Sequence, residues 1–380
     1  MTSRLKVLTI FGTRPEAIKM APLIKELEKY PELIQSFVAV TAQHRQMLDQ
    51  VLEVFEINVD YDLNIMKDRQ NLIGLTTRAL EGLDTIIKEV NPKLVLVHGD
   101  TTTSFVASLA AYYNQVEVAH VEAGLRTWEK YSPFPEEVNR QLTGVIADLH
   151  FTPTRRSFEN LLLENKKKNN IYITGNTVID ALKTTVKENF THEVLDQIGN
   201  DRFILLTAHR RENLGEPMKN MFRAIKRIVM EHQNFHVIFP VHLNPIVLNI
   251  AHEVFDGIER IHLIEPLSVI DFHNIASRAS LILTDSGGIQ EEAPSFGVPV
   301  LIMRETTERP EGIEAGALKL VGTNEDTLYQ SVNELLINKS EYEKMANVSN
   351  PYGDGQAAHR IVQAILYRFG KIDKVPEPFQ

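Results

Sequence analysis

Three carboxylates in the first half of the chain could give or take protons. Asp100 ends the segment VHGD, Glu122 follows VEVAHV, and Glu136 stands after Pro135 where a helical pattern begins. Burial and neighbouring charges tune such groups for general acid and base chemistry. Asp100 could instead cap a helix, and a glutamate in a first helical turn is often structural. Glu122 is harder to explain as a cap, because Ala-Gly follows it.

Cationic and imidazole groups also follow short apolar runs. Arg14 and Lys19 lie in FGTRPEAIK, where a tight turn leads to a proline at a helix start, so both could reach one ligand. His209 lies in TAHRREN after another run. Further histidines at run ends are His98, His120 and His242. The chain has no cysteine and no HExxH spacing, so we expect these histidines to serve loops and we expect no metal site.

The segment TDSGGIQEEAP has the residue types of a diphosphate site. The Ser286–Gly287–Gly288 turn would let backbone N–H groups and a helix start approach a phosphate. Glu291 and Glu292, about one turn further on, could accept hydrogen bonds from ribose hydroxyls. A helix cap and compensation of the helix dipole are the structural alternatives. Together these features indicate a cradle for a ribosyl diphosphate.

All of these groups follow apolar runs that alternate with amphipathic stretches. Near-continuous apolar runs are typical of strands covered on both faces, and strands separated by helices indicate parallel sheets. The predicted strands are Leu5–Phe11, Phe37–Thr41, Leu94–His98, Val116–Val121, Leu149–Thr152, Ile171–Thr174, Phe203–Thr207, His236–Pro240, Ile261–Ile264, Leu281–Thr284, Pro299–Met303 and Leu318–Val321. Ligands of such sheets bind beyond the carboxyl ends of the strands, where the polar motifs stand.

Twelve strands are too many for one comfortable open sheet, so the sequence predicts an α/β chain of two Rossmann-like, six-stranded halves with a cleft between them. The first predicted domain covers 1–175 and carries the carboxylates. The C-terminal segment 356–380, which contains a final helix at roughly Gln356–Phe369, would pack with this first domain. The second predicted domain covers 176–355 and carries the diphosphate cradle.

Composition excludes several classes of function. The chain has 380 residues with a net charge of −10, which argues against a nucleic-acid partner. No stretch approaches the ~20 apolar residues of a membrane helix, and no secretory signal is evident, so we expect a cytoplasmic protein without a membrane partner. Neither GxGxxG nor GxxxxGK[ST] occurs, so neither NAD binding nor P-loop hydrolysis is indicated. We expect no cofactor.

A family resemblance covers nearly the whole chain, from about Lys6 to Arg360. The motifs that carry it are FGTRPEAIKMAPL, VHGDTTTS, HVEAGLRT, SPFPEEVNRQ, TAHRREN, PVHLNP, LTDSGGIQEEAPS, TTERPEG and NPYGDGQA. They resemble the non-hydrolysing UDP-N-acetylglucosamine 2-epimerases of bacteria. The resemblance implies the glycosyltransferase-B architecture, a homodimer, and interconversion of UDP-GlcNAc and UDP-ManNAc without an added redox cofactor. The ManNAc so formed would supply cell-envelope polysaccharides.

The resemblance also implies roles for individual residues. Asp100, Glu122 and Glu136 would be the acid and base carboxylates, and His209 would assist the departing phosphate. The groups expected to hold the substrate are Arg14, Lys19 and Arg309 as cations, Ser286, Gly287 and Gly288 at the diphosphate, Glu292 at the ribose and Phe272 near the uracil. Leu267 departs from the pattern, since some relatives carry glutamine there, which leaves only a main-chain contact to uracil.

Relatives of this kind also bind UDP-GlcNAc as an activator at a second site. The residues that match this feature are Gln43, Gln46, Arg69, Arg210 and His242. The polar stretch QHRQMLD that contains two of them has a structural alternative as a solvated helix face. The resemblance predicts a sigmoidal dependence of the rate on UDP-GlcNAc.

The chemistry favours elimination over oxidation. The C2 proton of the sugar is not next to a carbonyl, and transient oxidation would require NAD. Loss of that proton together with UDP gives 2-acetamidoglucal, to which UDP adds back. Three alternatives remain open: a hydrolysing epimerase that releases ManNAc and UDP, a glycosyltransferase, and a non-catalytic sensor of UDP-sugars.

Overall fold

The computed structural model of the chain describes residues 4–42, 45–65 and 71–380, without the side chains of residues 45–47. The strands are β1 (Leu5–Phe11), β2 (Ile34–Val40), β3 (Tyr61–Asp62), β4 (Leu94–His98), β5 (Glu117–Val121), β6 (Leu149–Thr152), β7 (Ile171–Ile173), β8 (Arg202–Thr207), β9 (Phe235–Pro240), β10 (Ile261–Ile264), β11 (Leu281–Thr284), β12 (Val300–Ile302) and β13 (Leu318–Leu320).

Helices separate most of these strands. They are α1 (Arg14–Leu27), α2 (Arg45–Val54), α3 (Leu72–Val90), α4 (Thr102–Tyr113), α5 (Glu136–Ile146), α6 (Arg155–Leu163), α7 (Thr177–Thr185), α8 (Glu193–Ile198), α9 (Glu216–Glu231), α10 (Pro245–Phe255), α11 (Val269–Ala276), α12 (Gly287–Glu292), α13 (Pro310–Glu314), α14 (Glu325–Ile337), α15 (Lys339–Ala346) and α16 (Ala357–Arg368). Within the described ranges no helix is long and apolar enough to cross a bilayer.

The strands form two parallel sheets. The first has the order β3-β2-β1-β4-β5-β6-β7, and the second has the order β10-β9-β8-β11-β12-β13. All twelve predicted strands are confirmed, but the prediction of six strands in the first half is wrong, because β3 brings the described part of that sheet to seven. β3 consists of Tyr61–Asp62 at the sheet edge and is partly exposed, so no apolar run marks it in the sequence.

The first sheet buries strand side chains against helices on its faces. Val95 and Val97 of β4 and Leu8 and Ile10 of β1 belong to a core that α3 and α4 complete. β4 is buried along its full length, which is why its run reads as continuously apolar. This packing fixes β1, β4 and β5 side by side, so the loops that follow them emerge at the same sheet edge.

The second sheet has a core on each face. Ile204 and Leu206 point to one core, and Phe203 and Leu205 point to the other. This alternation follows from the two-residue period of a strand. The loops after β8 and β11, which are neighbours in the sheet, therefore leave from the same edge.

The chain divides into two compact units, residues 1–184 with 353–380, and residues 185–352. These limits differ from the predicted ones at 175/176 and 355/356, because α7 packs in the first unit. Asp180 of α7 accepts hydrogen bonds from the N–H groups of Ala357 (3.1 Å) and Ala358 (2.9 Å). Asp180 thereby holds the start of α16 and ties α7 to the first unit.

Candidate active site

Helix α1 and the loop after β5 bring a lysine and a glutamate together. Lys19 Nζ forms an ion pair with Glu122 Oε2, and both side chains are nearly buried, at 13% and 9% exposure. His98 Nε2 lies 3.1 Å from the same oxygen, although its geometry is not that of a hydrogen bond. Asn176 Nδ2 donates to this oxygen at 3.4 Å. Of the predicted site residues in the first unit, Lys19 and Glu122 are thus in direct contact.

The backbone and the charge of Glu122 are both unusual. Its φ is 59°, in the left-handed region that a residue with a Cβ rarely adopts, and such strain is concentrated at functional sites. Burial opposes ionisation of the side chain, but the charges of Lys19 and His98 outweigh burial and hold the pKa of Glu122 well below its ordinary value. Glu122 is therefore a buried carboxylate that stays ionised at neutral pH.

Asp100 is not a helix cap. The cap of α4 is Thr101, whose Oγ1 accepts the N–H of Ser104 at 3.1 Å. The Asp100 carboxylate instead pairs with Arg140, with 2.6 Å between Oδ2 and Nη2, and its side chain is 28% exposed. The structural alternative, in which Asp100 caps a helix, is thus wrong.

The adjacent glutamates at the start of α5 differ in their surroundings. Glu137 is fully buried and accepts the N–H groups of Thr127 (3.0 Å) and Trp128 (3.1 Å) as well as Nε2 of Gln141 (2.8 Å). Glu136 is the first residue of α5 and is half-buried, and within the described ranges its carboxylate has no hydrogen bond or ion pair. Glu137 is therefore engaged by the protein's own hydrogen-bond donors, whereas the described residues leave the Glu136 carboxylate without such a partner.

Arg14 opens α1, and Glu16 holds the turn around it. Glu16 Oε2 accepts the N–H groups of Gly12 (3.1 Å) and Thr13 (2.8 Å), and its Oε1 accepts hydroxyls of Thr101 (2.7 Å) and Ser104 (3.0 Å). One buried glutamate thereby fastens the loop after β1 to the loop after β4. Arg14 is half-buried at this junction.

In the second unit, Asp285 organises the loop that contains His209. Its fully buried carboxylate accepts the N–H of His209 (3.0 Å), the N–H of Arg210 (2.9 Å) and Nδ2 of Asn213 (3.2 Å). His209 Nδ1 lies 3.4 Å from Asp285 Oδ1. Burial lowers the pKa of His209, and the Asp285 charge opposes this shift only in part. His209 is therefore mainly a neutral imidazole at neutral pH.

The Ser286–Gly288 turn lies at the start of α12, with Ser286 at the cap position. A Cβ added to Gly287 would stand 2.6 Å from Arg309 Nη1, so glycine is what lets the guanidinium lie against this turn. Arg309 Nε donates to Glu291 at 2.7 Å. Gly288 is exposed, with nothing within 4 Å of an added Cβ. The sequence-predicted cation and the glycine turn are thus brought together.

Two of the remaining residues expected to bind the nucleotide, Glu292 and Phe272, lie close to His273. Glu292 Oε2 stands 3.3 Å from Nε2 of His273, whose Nδ1 contacts Thr185 Oγ1 at 2.7 Å. Phe272 is half-buried with its ring centroid 6.2 Å from that of His273. Leu267 is partly buried and packs against the adjacent core.

The candidates for the second ligand site are only partly described. Gln43 and Arg69 lie outside the described residues, as does the side chain of Gln46. The ring of His242 stacks on that of His209, with centroids 5.6 Å apart. Arg210 Nη2 lies 3.3 Å from Glu308 Oε1, and Arg309 Nη1 lies 3.3 Å from the same oxygen.

The chain is similar in sequence to a family of known enzymes. The family model described as UDP-N-acetylglucosamine 2-epimerase matches residues 25–366. The UDP-N-acetylglucosamine 2-epimerase of Bacillus subtilis strain 168 is 63% identical over 376 residues, which is 99% of each chain. The chain belongs to the UDP-N-acetylglucosamine 2-epimerase family.

Solved structures of this epimerase family share the fold. One UDP-N-acetylglucosamine 2-epimerase has a TM-score of 0.93 and 60% identity, with full coverage of both chains. The Neisseria meningitidis UDP-GlcNAc 2-epimerase bound to UDP-GlcNAc has a TM-score of 0.87 and 49% identity, covering 95% of this chain and 100% of its own. The predicted fold class, α/β with two parallel sheets of the glycosyltransferase-B type, is confirmed, and the chain is an isomerase of the non-hydrolysing type.

Several residues of this epimerase were not singled out from the sequence. Asp285, Arg140 and Glu308 all stand inside quoted motifs, but nothing local separates them from their charged neighbours. His98 ends a buried strand, which was the available signal, although histidines at such positions usually serve loops. No group of three or more metal-ligating side chains occurs in the described part of the chain.

Proposed function

We propose that the chain epimerises C2 of UDP-GlcNAc to give UDP-ManNAc by eliminating and re-adding UDP. Membership of the epimerase family supports the overall reaction. The observation that carries the proposed route is Glu122, a buried carboxylate kept ionised by Lys19 and held in a left-handed backbone conformation. Such a group is in the form that can accept a proton at neutral pH, and a substrate phosphate that drew Lys19 away would raise its pKa and make it a stronger base.

The elimination is balanced within the substrate. A carboxylate takes the C2 proton, the C1–O bond breaks with its electron pair passing to the β-phosphate oxygen, and C1=C2 forms in 2-acetamidoglucal. In the return step, the UDP oxygen attacks C1 and C2 receives a proton on the other face. Two carboxylates are needed, one for each face of C2. Glu122 fits the role of base, and Asp100 or Glu136 would serve the opposite face.

Departing UDP requires positive charge and hydrogen-bond donors. Arg14, Lys19 and Arg309 supply cations, and the neutral imidazole of His209 can donate a hydrogen bond to the phosphate. The backbone N–H groups at Ser286, Gly287 and Gly288 would receive the diphosphate, with Glu292 at the ribose and Phe272 near the uracil. This assignment rests on the contact of Arg309 with the glycine turn and on the support of His209 by Asp285.

A second UDP-GlcNAc is proposed to act as activator through Gln43, Gln46, Arg69, Arg210 and His242. Two contacts in the second unit support coupling between the two ligand sites. His242 stacks on His209, and Arg210 shares Glu308 Oε1 with Arg309. A ligand that moved either regulatory side chain would alter the surroundings of a proposed active-site group.

The proposal extends to assembly and use of the product. We expect a homodimer, and the product would serve cell-envelope polysaccharide synthesis. A hydrolysing epimerase, a glycosyltransferase and a UDP-sugar sensor are the alternatives. Proton NMR distinguishes them, because stoichiometric ManNAc and UDP indicate hydrolysis, and a sensor binds without turnover. Dependence of sugar release on an added acceptor indicates a transferase.

One experiment in D2O tests both the route and the activation. With UDP-GlcNAc and no NAD, we expect deuterium at C2 of both epimers, because the proton leaves to a carboxylate that exchanges with solvent. With UDP-ManNAc alone, we expect slow exchange that rises when UDP-GlcNAc is added. Epimerisation without C2 exchange contradicts elimination, and hyperbolic kinetics in both directions contradict activation.

A further inference from the structure

Arg140 is a buried cation for which the proposed reaction has so far provided no role. It lies on α5, one turn after Glu136, and ends the segment SPFPEEVNR. Its side chain is 11% exposed, and its Nη2 lies 2.6 Å from Asp100 Oδ2. Its Nη1 lies 3.6 Å from Glu137 Oε2. Arg140 therefore stands between a structural carboxylate and a proposed catalytic one.

Stability alone accounts poorly for this arginine. Its Nε is buried and has no hydrogen-bond partner in the described part of the chain. A buried charge with an unsatisfied donor costs stability, and apolar residues of similar volume often replace buried ion pairs without loss. Glu137 does not need the full charge of Arg140 either, because two backbone N–H groups and Gln141 already satisfy its oxygens.

The surroundings of Asp100 are those of a group held in one place. Asn139 Nδ2, on the same helix as Arg140, donates to the Asp100 carbonyl at 3.0 Å. His120 Nε2 lies 2.7 Å from the carbonyl oxygen of Gly99, whose φ is 61°. Arg140 adds the only ion pair of the Asp100 carboxylate among the described residues, and it engages Oδ2. Oδ1 is left for a further partner.

We propose that Arg140 is a positioning residue for proton transfer at C2: it fixes Asp100 through Oδ2 so that Oδ1 meets the substrate. The inference rests on the proposed function, in which Asp100 is one of the acid and base carboxylates. Because α5 carries both Glu136 and Arg140, one rigid helix would set the positions of two proposed catalytic carboxylates. When a catalytic acid or base is misplaced, kcat falls far more than the affinity for substrate does.

The test compares Arg140→Ala, Arg140→Lys, Asp100→Asn and the Asp100→Asn/Arg140→Ala double variant in the full chain. Arg155→Ala is the matched control, because Arg155 pairs with Glu159 on the exposed surface of the same unit. For each variant, kcat, KM, the C2 deuterium exchange rate and the melting temperature are measured. Arg140→Ala is also assayed with guanidinium, and separately with sodium chloride at equal ionic strength.

We expect Arg140→Ala to lower kcat by about 10- to 100-fold with KM within about threefold, and to lower C2 exchange in parallel. Guanidinium should restore part of kcat and sodium chloride should not. Asp100→Asn should lose about 100-fold or more, and adding Arg140→Ala should cost little further, since the arginine acts through the carboxylate. Arg155→Ala should match the unaltered protein.

The outcomes separate the inference from the function on which it rests. Full activity of Asp100→Asn contradicts the catalytic role of Asp100 and the inference with it. An inactive Asp100→Asn beside a fully active Arg140→Ala overturns the inference alone. Losses that add in the double variant, or a loss in Arg140→Ala that guanidinium does not relieve, assign Arg140 a merely structural role. If Arg140→Ala does not fold, Arg140→Lys with unchanged kcat contradicts the inference.

Discussion

At the scale of single residues, Glu122 stays ionised because two neighbouring charged groups outweigh the effect of its burial. Burial is the largest influence on its pKa and acts to raise it, whereas Lys19 and His98 lower it. Because the pKa of Glu122 is lowered in the folded protein, its ionised form stabilises the fold at every pH above the ordinary pKa of a glutamate. That contribution is lost as the pH falls through the lowered pKa.

Replacing Lys19 by methionine should reverse this balance. With the ammonium gone, burial raises the pKa of Glu122, so the acid limb of the kcat/KM profile should move to higher pH and the rate at neutral pH should fall by about 10-fold or more. Lys25→Met is the control, because Lys25 lies on the same helix and pairs with Glu28 on the surface. An acid limb that stays in place would show that Lys19 does not govern Glu122.

At the scale of elements, the loop after β5 depends on close contact with α6. Gly124 has φ 88°, and a Cβ there would lie 2.1 Å from the carbonyl oxygen of Ser157. Backbone atoms cannot move aside as a flexible side chain can. The loop that carries Glu122 is therefore seated on α6 through a residue that has no side chain.

Gly124→Ala should destabilise the first unit by more than its conformation alone would cost. A left-handed alanine costs roughly 1–2 kcal/mol, and the contact with Ser157 adds to this. Gly370→Ala provides the control, because Gly370 lies in the same unit at φ 63° with nothing within 4 Å of an added Cβ. The measurement is the urea midpoint by circular dichroism. Equal midpoints for the two variants would show that the contact is not limiting.

At the scale of the whole molecule, apolar side chains remain exposed on the neighbouring helices α4 and α5. They are Tyr112 (62%), Tyr113 (65%), Leu142 (40%) and Val145 (69%). Groups of exposed apolar residues of this kind are typical of protein interfaces. The expected homodimer would cover them.

Val145→Glu should therefore shift the molecule from dimer to monomer, because a buried unpaired charge at an interface is costly. Sedimentation velocity measures the result. Leu163→Glu is the control. Leu163 is 75% exposed, and it is the last residue of α6, a different helix from the two that carry the exposed group. A Val145→Glu protein that sediments like the unaltered one would place the dimer interface elsewhere.

Much of the fold could be predicted because its determinants are local. β4 and β11 are buried along their whole length, so their runs of apolar residues are continuous and mark strands. The proline in the first turn of α1 and the glycine turn before α12 mark helix starts. β3 escaped prediction because a two-residue edge strand needs no apolar run.

The sequence by itself determined twelve of the described strands, the family, and the segments that carry the candidate groups. Only the tertiary structure decided which charges meet. Lys19 and Glu122 are 103 residues apart and pair because β1, β4 and β5 are neighbours in the sheet. Glu136 and Glu137 are adjacent in sequence, yet among the described residues only the Glu137 carboxylate accepts hydrogen bonds from backbone N–H groups. Pairing and burial depend on packing between distant segments, which no local pattern encodes.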